Sequence, residues 1–168
     1  MGFLRKLNMA ALPDKKKENL ITALYFGFIL ILLAVVYFVN AHIDLWGSFV
    51  NFFSKFILAT VPGTNIALPA PSNPASYTLL YKVVYQFCIG LGILEIAVLT
   101  LRIWLNSPVT RKAETIENIV FWLGTSYLVV TYLVNISIIS EWFVFWAGII
   151  LIGGLSLLAR SFVLIAKR

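Results

Sequence analysis

The chain has few of the residues that carry chemistry in metalloproteins and disulfide-bonded proteins. Its 168 residues include one cysteine, Cys88, and one histidine, His42. A single cysteine excludes an intramolecular disulfide, and a single histidine excludes a multi-histidine metal centre or a haem held by two histidines of this chain. No other metal-ligand spacing is present. The sequence therefore predicts neither a metal site nor a cofactor.

Signatures of the common catalytic classes are also missing. The chain contains no nucleophile elbow, no zincin helix, no phosphate-binding glycine loop and no pair of aspartates within an apolar run. Each of these motifs places reactive groups at the spacing that its chemistry needs, so their absence argues against the corresponding mechanisms. The sequence predicts a protein that is not an enzyme.

Charged residues are scarce and apolar residues are abundant. Charged residues make up 12% of the chain and hydrophobic residues 61%, and the mean hydropathy is +0.94. These values are far outside the soluble range and indicate an integral membrane protein of one domain. The net charge of +6 comes from basic residues beside apolar runs. Anionic lipid headgroups, and not nucleic acid, are therefore the expected counter-charge.

Four apolar runs are long enough to cross a bilayer as helices. After a basic segment at residues 1–19, they cover residues 20–39, 79–105, 116–136 and 142–166. The connections at residues 106–115 and 137–141 are short, as between antiparallel neighbours. The predicted fold is an all-α integral membrane protein built as an antiparallel four-helix transmembrane bundle.

The longest region outside these runs, residues 40–78, divides in two. Residues 45–61 are amphipathic at helical spacing, and Asp44 is placed to cap a helix that starts there. The length and the interior polar residues favour an interfacial or re-entrant helix over a full crossing. Residues 62–77 are rich in proline and are predicted to form a loop without regular structure. The aromatic face of the helix is expected to dock on lipid or on a partner through Trp46, Phe49, Phe53 and Phe56.

The distribution of lysine and arginine gives the predicted orientation. If both termini lie on one side of the membrane, that side carries all 13 basic residues except Lys55 and Lys82. Cytoplasmic loops carry the excess of Lys and Arg in membrane proteins. The sequence therefore predicts that both termini are cytoplasmic, that residues 40–78 lie outside, and that the protein is in the cell membrane.

Glu95 is a carboxylate well inside the second predicted span. An ionisable group at that depth costs roughly 3 kcal/mol and usually faces a bundle interior or a partner. Helical spacing places Glu95 on one face with Cys88, Gly92 and Arg102. Small residues such as Cys88 and Gly92 let a second helix approach closely, which would enclose Glu95 in protein. The same effect is expected of three glycines in the fourth span, Gly148, Gly153 and Gly154.

Residues of the third and fourth spans reach the height of Glu95 when 1.5 Å is counted per residue. On this basis the sequence predicts an intramembrane polar cluster of Glu95, Ser126, Ser156 and Arg160. The cluster is either a structural ion pair or hydrogen bond, or a site that takes up a proton or a cation.

Two functions of different classes fit these features. The first is a non-catalytic accessory or scaffold subunit that binds other membrane protein subunits and lipids, with the aromatic segment at residues 46–57 as its docking face. The alternative is a small oligomeric channel or proton-coupled transporter that uses Glu95. An insertion or assembly factor that uses the basic edge is a third and weaker possibility.

Overall fold

The structure is a computed structural model that describes residues 13–166. The chain is mostly helical (78%), and four of its helices are long and apolar enough to span a membrane. This confirms the predicted all-α class and the number of candidate spans. The first twelve residues of the predicted basic segment 1–19 and the basic pair Lys167 and Arg168 lie outside the described residues.

The four long helices follow one another in antiparallel order, with a small subdomain between the first and the second. The helices are α1 (Asp14–Val39), α2 (Leu45–Ser54), α3 (Thr78–Trp104), α4 (Val109–Leu128) and α5 (Ile139–Ile165). A π-helical turn, Val129–Val134, extends α4, and a 3-10 turn, Pro74–Tyr77, leads into α3. Two strands, β1 (Phe56–Thr60) and β2 (Ala67–Pro71), follow α2 and form a hairpin.

Two of the long helices begin well before their apolar runs, α1 by six residues and α4 by seven. α1 starts at Asp14 directly after Pro13, and α4 starts at Val109 directly after Pro108. Proline fixes the backbone without disturbing a helix that starts beside it, because the first turn needs no N–H partner. The first turns of these two helices are polar, so a prediction from hydropathy alone does not include them.

α3 packs between α1 and α4, and α5 packs against the other side of α4. Two glycines on different sides of α3 permit this arrangement. A Cβ atom on Gly90 would meet Leu32 Cδ1 of α1 at 2.5 Å, and one on Gly92 would meet Leu123 Cδ2 of α4 at 2.4 Å. The predicted close approach at Gly92 is confirmed.

The glycines of α5 follow the prediction only in part. A Cβ atom on Gly148 would meet Leu128 Cδ1 at 2.9 Å, so a neighbouring helix does approach there. Gly153 and Gly154 have nothing within 4 Å of the added atom. The expectation of close packing at these two positions is wrong, because the space beside both glycines is open.

Aromatic side chains form a core where α2 and the hairpin meet the long helices, which we call the hairpin end. Phe52 of α2 is buried, and its ring centroid lies 5.1 Å from that of Tyr77, 6.1 Å from that of Tyr81 and 6.0 Å from that of Trp142. Edge-to-face pairs at these separations add about 0.5 to 1.5 kcal/mol each beyond their buried area. The subdomain is thereby fixed to α3 and α5.

The predicted helix at residues 45–61 is wrong beyond Ser54. The Asp44 cap is confirmed, since Asp44 Oδ1 accepts a hydrogen bond from Gly47 N at 2.9 Å. The chain then turns at Lys55 into β1, and part of the predicted irregular loop 62–77 is strand β2. The register of the hairpin pairs Phe56 with Pro71, Ile57 with Ala70, Leu58 with Pro69, Ala59 with Leu68 and Thr60 with Ala67.

The hairpin accepts two prolines because of this register. Hydrogen bonds from Val61 N to the Ile66 carbonyl (2.8 Å) and from Ser72 N to the Lys55 carbonyl (3.0 Å) close the ladder at its two ends. Alternate pairs of an antiparallel ladder are hydrogen-bonded, so Pro69 and Pro71 occupy positions whose backbone nitrogen points away from the partner strand. Neither proline removes a ladder hydrogen bond.

Candidate functional site

Glu95 lies at the point where three long helices meet. Its side chain is 2% exposed. Glu95 Oε1 accepts hydrogen bonds from the Tyr25 hydroxyl of α1 and from Asn118 Nδ2 of α4, each at 2.8 Å. Hydrogen bonds to a charged acceptor are the stronger ones in proteins. One carboxylate oxygen thus links α1, α3 and α4.

The lengths of the helices place these groups at one height. Glu95 lies nine residues before the end of α3 at Trp104, and Asn118 lies nine residues after the start of α4 at Val109. At 1.5 Å per residue both are about 14 Å from the connection between the two helices. Because α3 and α4 run antiparallel, the two side chains face each other across the helix contact.

Arg102 forms a second polar layer two turns from Glu95 on α3. Its Nη2 lies 3.4 Å from Glu18 Oε2 of α1, and its Nη1 donates to the Arg111 carbonyl at 2.7 Å and to the Thr115 hydroxyl of α4. The side chains of Arg102 and Glu18 are 12% and 14% exposed. Removing one member of a buried pair leaves the other charge uncompensated, so this layer also ties α1 to α3.

A cavity of about 60 Å³ separates the two layers. Two apolar side chains line it, together with the polar groups Tyr25, Glu95, Arg102 and Asn118. Arg102 Nε and both carboxylate oxygens of Glu18 are buried without a hydrogen-bond partner among the described residues. A cavity of this size and polarity is large enough for water molecules, which need two to four polar partners each. Such an arrangement can hold water, a proton or a small cation.

The predicted polar cluster around Glu95 is not formed as expected. Ser126 Oγ donates to the Leu123 carbonyl and Ser156 Oγ donates to the Gly153 carbonyl, each at 2.8 Å within its own helix. Such bonds to the preceding turn satisfy a hydroxyl without a partner helix. The hydrogen bonds of Glu95 therefore go to Tyr25 and Asn118 instead of the two serines.

Arg160 is also not a partner of Glu95. Its Nη1 lies 3.0 Å from Glu117 Oε2, and its Nη2 lies 3.8 Å from Glu114 Oε1. Both glutamates belong to the first turns of α4. The predicted run at residues 116–136 includes Glu117 but not Glu114. Arg160 links the end of α5 to the first turns of α4, through residues of α4 other than Asn118, the partner of Glu95.

The predicted docking residues of α2 divide between two environments. Trp46 is 75% exposed, and Phe49 and Phe53 are also exposed. Their rings form a row, with centroids 6.2 Å apart for Trp46 and Phe49 and 4.8 Å apart for Phe49 and Phe53. Phe56 is half-buried and packs against the Trp142 ring at 6.0 Å. Three of the four predicted side chains thus form an open aromatic row, and the fourth belongs to the core.

The sequence analysis did not identify Phe52, the buried residue that anchors α2. It lies between Phe49 and Phe53 in the chain, and all three are phenylalanines, so residue type does not separate the buried face from the open one. What distinguishes Phe52 is its contact with two tyrosines, Tyr77 just before α3 and Tyr81 in its first turn, whose rings it meets edge-on.

The hairpin lies beside α5, and an apolar groove of about 490 Å³ separates them. Val61 and Leu68 line it on the hairpin side. On the helix side it extends from Trp142 to Ile150, eight residues or about 12 Å of helix. The hairpin therefore follows the flank of α5 instead of crossing its end.

Comparison with protein-family models, with curated proteins and with solved structures gives no match for this chain. Within residues 13–166, no group of three or more His, Cys, Asp or Glu side chains is arranged to hold a metal ion.

Proposed function

We propose that this chain is a non-catalytic accessory or scaffold subunit of a larger integral membrane protein complex. The observation that carries the proposal is the open aromatic row of Trp46, Phe49 and Phe53 on a subdomain that is itself fixed by buried aromatic contacts. Aromatic residues on a rigid support provide a large contact area and lose little conformational entropy on binding. They are enriched among the residues that contribute most to binding in protein interfaces.

The anchoring of this row supports a role in docking. Phe52, which lies beside this row on α2, contacts Tyr77, Tyr81 and Trp142, and the Tyr77 hydroxyl donates to the Asn51 carbonyl at 3.3 Å. The exposed rings are therefore held in place before a partner arrives, and binding loses little additional side-chain freedom. Exposed apolar patches on a fixed surface mark interaction sites more often than isolated exposed residues do.

The proposed location is the cell membrane, with both termini in the cytoplasm. Among the described residues, most basic side chains lie at the end opposite to the hairpin, where α1 begins and α3 ends, and Lys55 and Lys82 lie at the hairpin end. The excess of Lys and Arg on the cytoplasmic side of membrane proteins supports this orientation. In it, the aromatic row is at the outer surface, and the basic end contacts anionic lipid headgroups.

The test is the composition of the native particle. Membranes that contain the full chain are solubilised gently, particles are separated by size, and co-migrating chains are identified and counted by mass spectrometry. The proposal predicts stoichiometric foreign membrane subunits. A chain that is quantitatively monomeric in its native membrane contradicts it.

The docking surface is tested by a triple variant, Trp46→Ala, Phe49→Ala and Phe53→Ala. We expect it to lose the partner subunits. A matched control replaces three exposed phenylalanines of α1 by alanine, at Phe26, Phe28 and Phe38. Loss of the partners in the control alone would show that α1, and not α2, carries the interface.

A second function, a small oligomeric channel or proton-coupled transporter, is favoured by one observation. Glu95 is buried beside a polar cavity that also contacts Arg102, and buried ionisable groups within spans often mark ion or proton pathways. This function predicts proton or cation flux in liposomes that contain the purified chain, and loss of that flux in Glu95→Gln. Glutamine retains an oxygen that accepts from Tyr25 and Asn118, so the fold is expected to survive. The absence of flux in the unmodified chain contradicts this function.

A further inference from the structure

We propose that the outer edge of β1 is the place where a partner subunit adds an extended segment as a third strand of the sheet. The inference rests on the proposed accessory-subunit function and specifies how the partner is recognised. It is carried by the hydrogen-bond pattern of the hairpin.

The register determines which backbone groups of β1 are free. The bonds that close the ladder, Val61 with Ile66 and Lys55 with Ser72, fix the hydrogen-bonded pairs at every second residue between them. The N–H and C=O groups of Phe56, Leu58 and Thr60 therefore point away from β2. β1 contains no proline, so each of these three residues keeps its donor.

The opposite edge of the hairpin is closed. Two of the three outward positions of β2 are Pro69 and Pro71, which have no N–H group. The outward carbonyl of Pro69 accepts a hydrogen bond from Trp142 Nε1 of α5 at 3.2 Å. Proline and a covering helix are two of the means by which proteins block the edge of a sheet. Within residues 13–166, β2 has both and the edge of β1 at Leu58 and Thr60 has neither.

The surroundings of the open edge are apolar. Leu58, at the centre of β1, is 74% exposed, and Ile57 beside it is also exposed. β1 starts beside Trp142, and Val61 at its far end lines the same groove as Ile150 of α5. Unpaired backbone groups among apolar side chains are costly wherever water is excluded from them. A strand that supplies backbone partners and apolar side chains satisfies both requirements.

The chemistry of the edge defines the partner segment. It is extended, about five residues long, and has N–H groups at the positions opposite Phe56, Leu58 and Thr60, so proline is excluded there. Its side chains on the face of Leu58 are apolar. A second copy of β1 is a poor fit. The two-fold axis that pairs two antiparallel strands is perpendicular to them, and because β1 runs beside α5, this axis would turn the α5 of one copy upside down relative to the other.

The test uses two matched proline variants of the full chain. Leu58→Pro removes an outward N–H from the open edge, and Ala67→Pro removes one from the closed edge, and neither nitrogen belongs to the ladder. Native particles are isolated from membranes, and the partner chain is quantified by mass spectrometry. We expect Leu58→Pro to reduce the bound partner about tenfold or more and Ala67→Pro to leave it unchanged.

Amide hydrogen exchange of the unmodified chain is the second measurement. The amides of Leu58 and Thr60 are expected to exchange about tenfold or more slowly in the particle than in the isolated chain, whereas the amide of Ala67 does not change. If both proline variants lose the partner through local unfolding of the hairpin, this exchange comparison decides whether the edge of β1 binds the partner.

The failures are distinguishable. If the unmodified particle contains stoichiometric partners and Leu58→Pro retains them, strand addition is wrong and the accessory-subunit function stands. If no foreign chain is present, the accessory-subunit function fails and strand addition fails with it. Slow exchange at Leu58 in lipid vesicles that contain only this chain would show that lipid or a second copy covers the edge, and would overturn the proposal.

Discussion

The Tyr25 hydroxyl donates a hydrogen bond of 2.8 Å to Glu95 Oε1, although 70 residues of the chain separate them. The bond joins α1 to α3 at a carboxylate that is almost fully buried. Because Asn118 donates to the same oxygen, α4 is held at the same point. This junction explains how the bundle encloses an ionisable residue inside an apolar helix.

Removal of the Tyr25 hydroxyl is expected to destabilise the bundle. Tyr25→Phe takes away one of two donors to a buried carboxylate, which costs about 1 to 3 kcal/mol in comparable cases. The measurement is thermal unfolding in detergent. Tyr37→Phe is the matched control, because Tyr37 lies on the same helix and is exposed. Equal melting temperatures for the two variants would show that the Tyr25 bond does not contribute to stability.

The two arginines that join helices are expected to differ in their contributions. Arg102→Gln leaves Glu18 buried without a counter-charge, and we expect a loss of about 3 to 5 kcal/mol in unfolding free energy. Arg160 is 39% exposed beside Glu117, and Arg160→Gln is expected to cost about 0 to 1 kcal/mol. Denaturation in mixed micelles compares the two variants. A larger effect at Arg160 would contradict the assignment of Arg102 as the arginine that holds α1 in place.

A pair of glycine substitutions tests the packing of α3 against α4. In Gly92→Ala the new methyl group would lie 2.4 Å from Leu123 Cδ2, so the leucine must move, and overpacking of this kind costs about 1 to 3 kcal/mol. Gly153→Ala meets nothing within 4 Å and is expected to be neutral or slightly stabilising, because alanine favours the helix. Thermal unfolding of both variants gives the comparison. A neutral Gly92→Ala would mean that α3 and α4 lie further apart than described.

The tie between the hairpin and α5 is tested at two tryptophans. Trp142→Phe removes the donor to the Pro69 carbonyl, and a lost neutral hydrogen bond costs about 1 kcal/mol. We expect faster amide exchange across β1 and β2 as the hairpin loosens. Trp146→Phe is the control, since Trp146 is one turn further along α5 and half exposed. Similar exchange in both variants would show that the hydrogen bond does not hold the hairpin.

The location of Glu95 in the bundle follows from the sequence, but its partners do not. Counting height from the first apolar residue of the third run puts Ser126 level with Glu95. Counting from the true start of α4 at Val109 puts Asn118 there instead. The difference is the two polar turns after Pro108, because hydropathy marks where a helix becomes apolar and not where its hydrogen bonding begins.

The hairpin was missed for a related reason. Proline density argues against regular structure only where the lost N–H groups would have been used. Pro69 and Pro71 are two residues apart, so both fall on the outward positions of one strand. That spacing is visible in the sequence, but it indicates a strand only when the partner strand is known, and the sequence pattern predicts a helix over β1.

The long separation between Tyr25 and Glu95 has a consequence for biosynthesis. If translation proceeds at about 5 to 20 residues per second, roughly 4 to 14 seconds pass between the synthesis of Tyr25 and that of the carboxylate that pairs with it, 70 residues later. During this interval α1 carries the side chains of Tyr25, Glu18 and Asn40 without their partners on α3, which are Glu95, Arg102 and Gln86. Until α3 is synthesised, the polar groups of these three side chains can bond only within α1, to water or to other molecules.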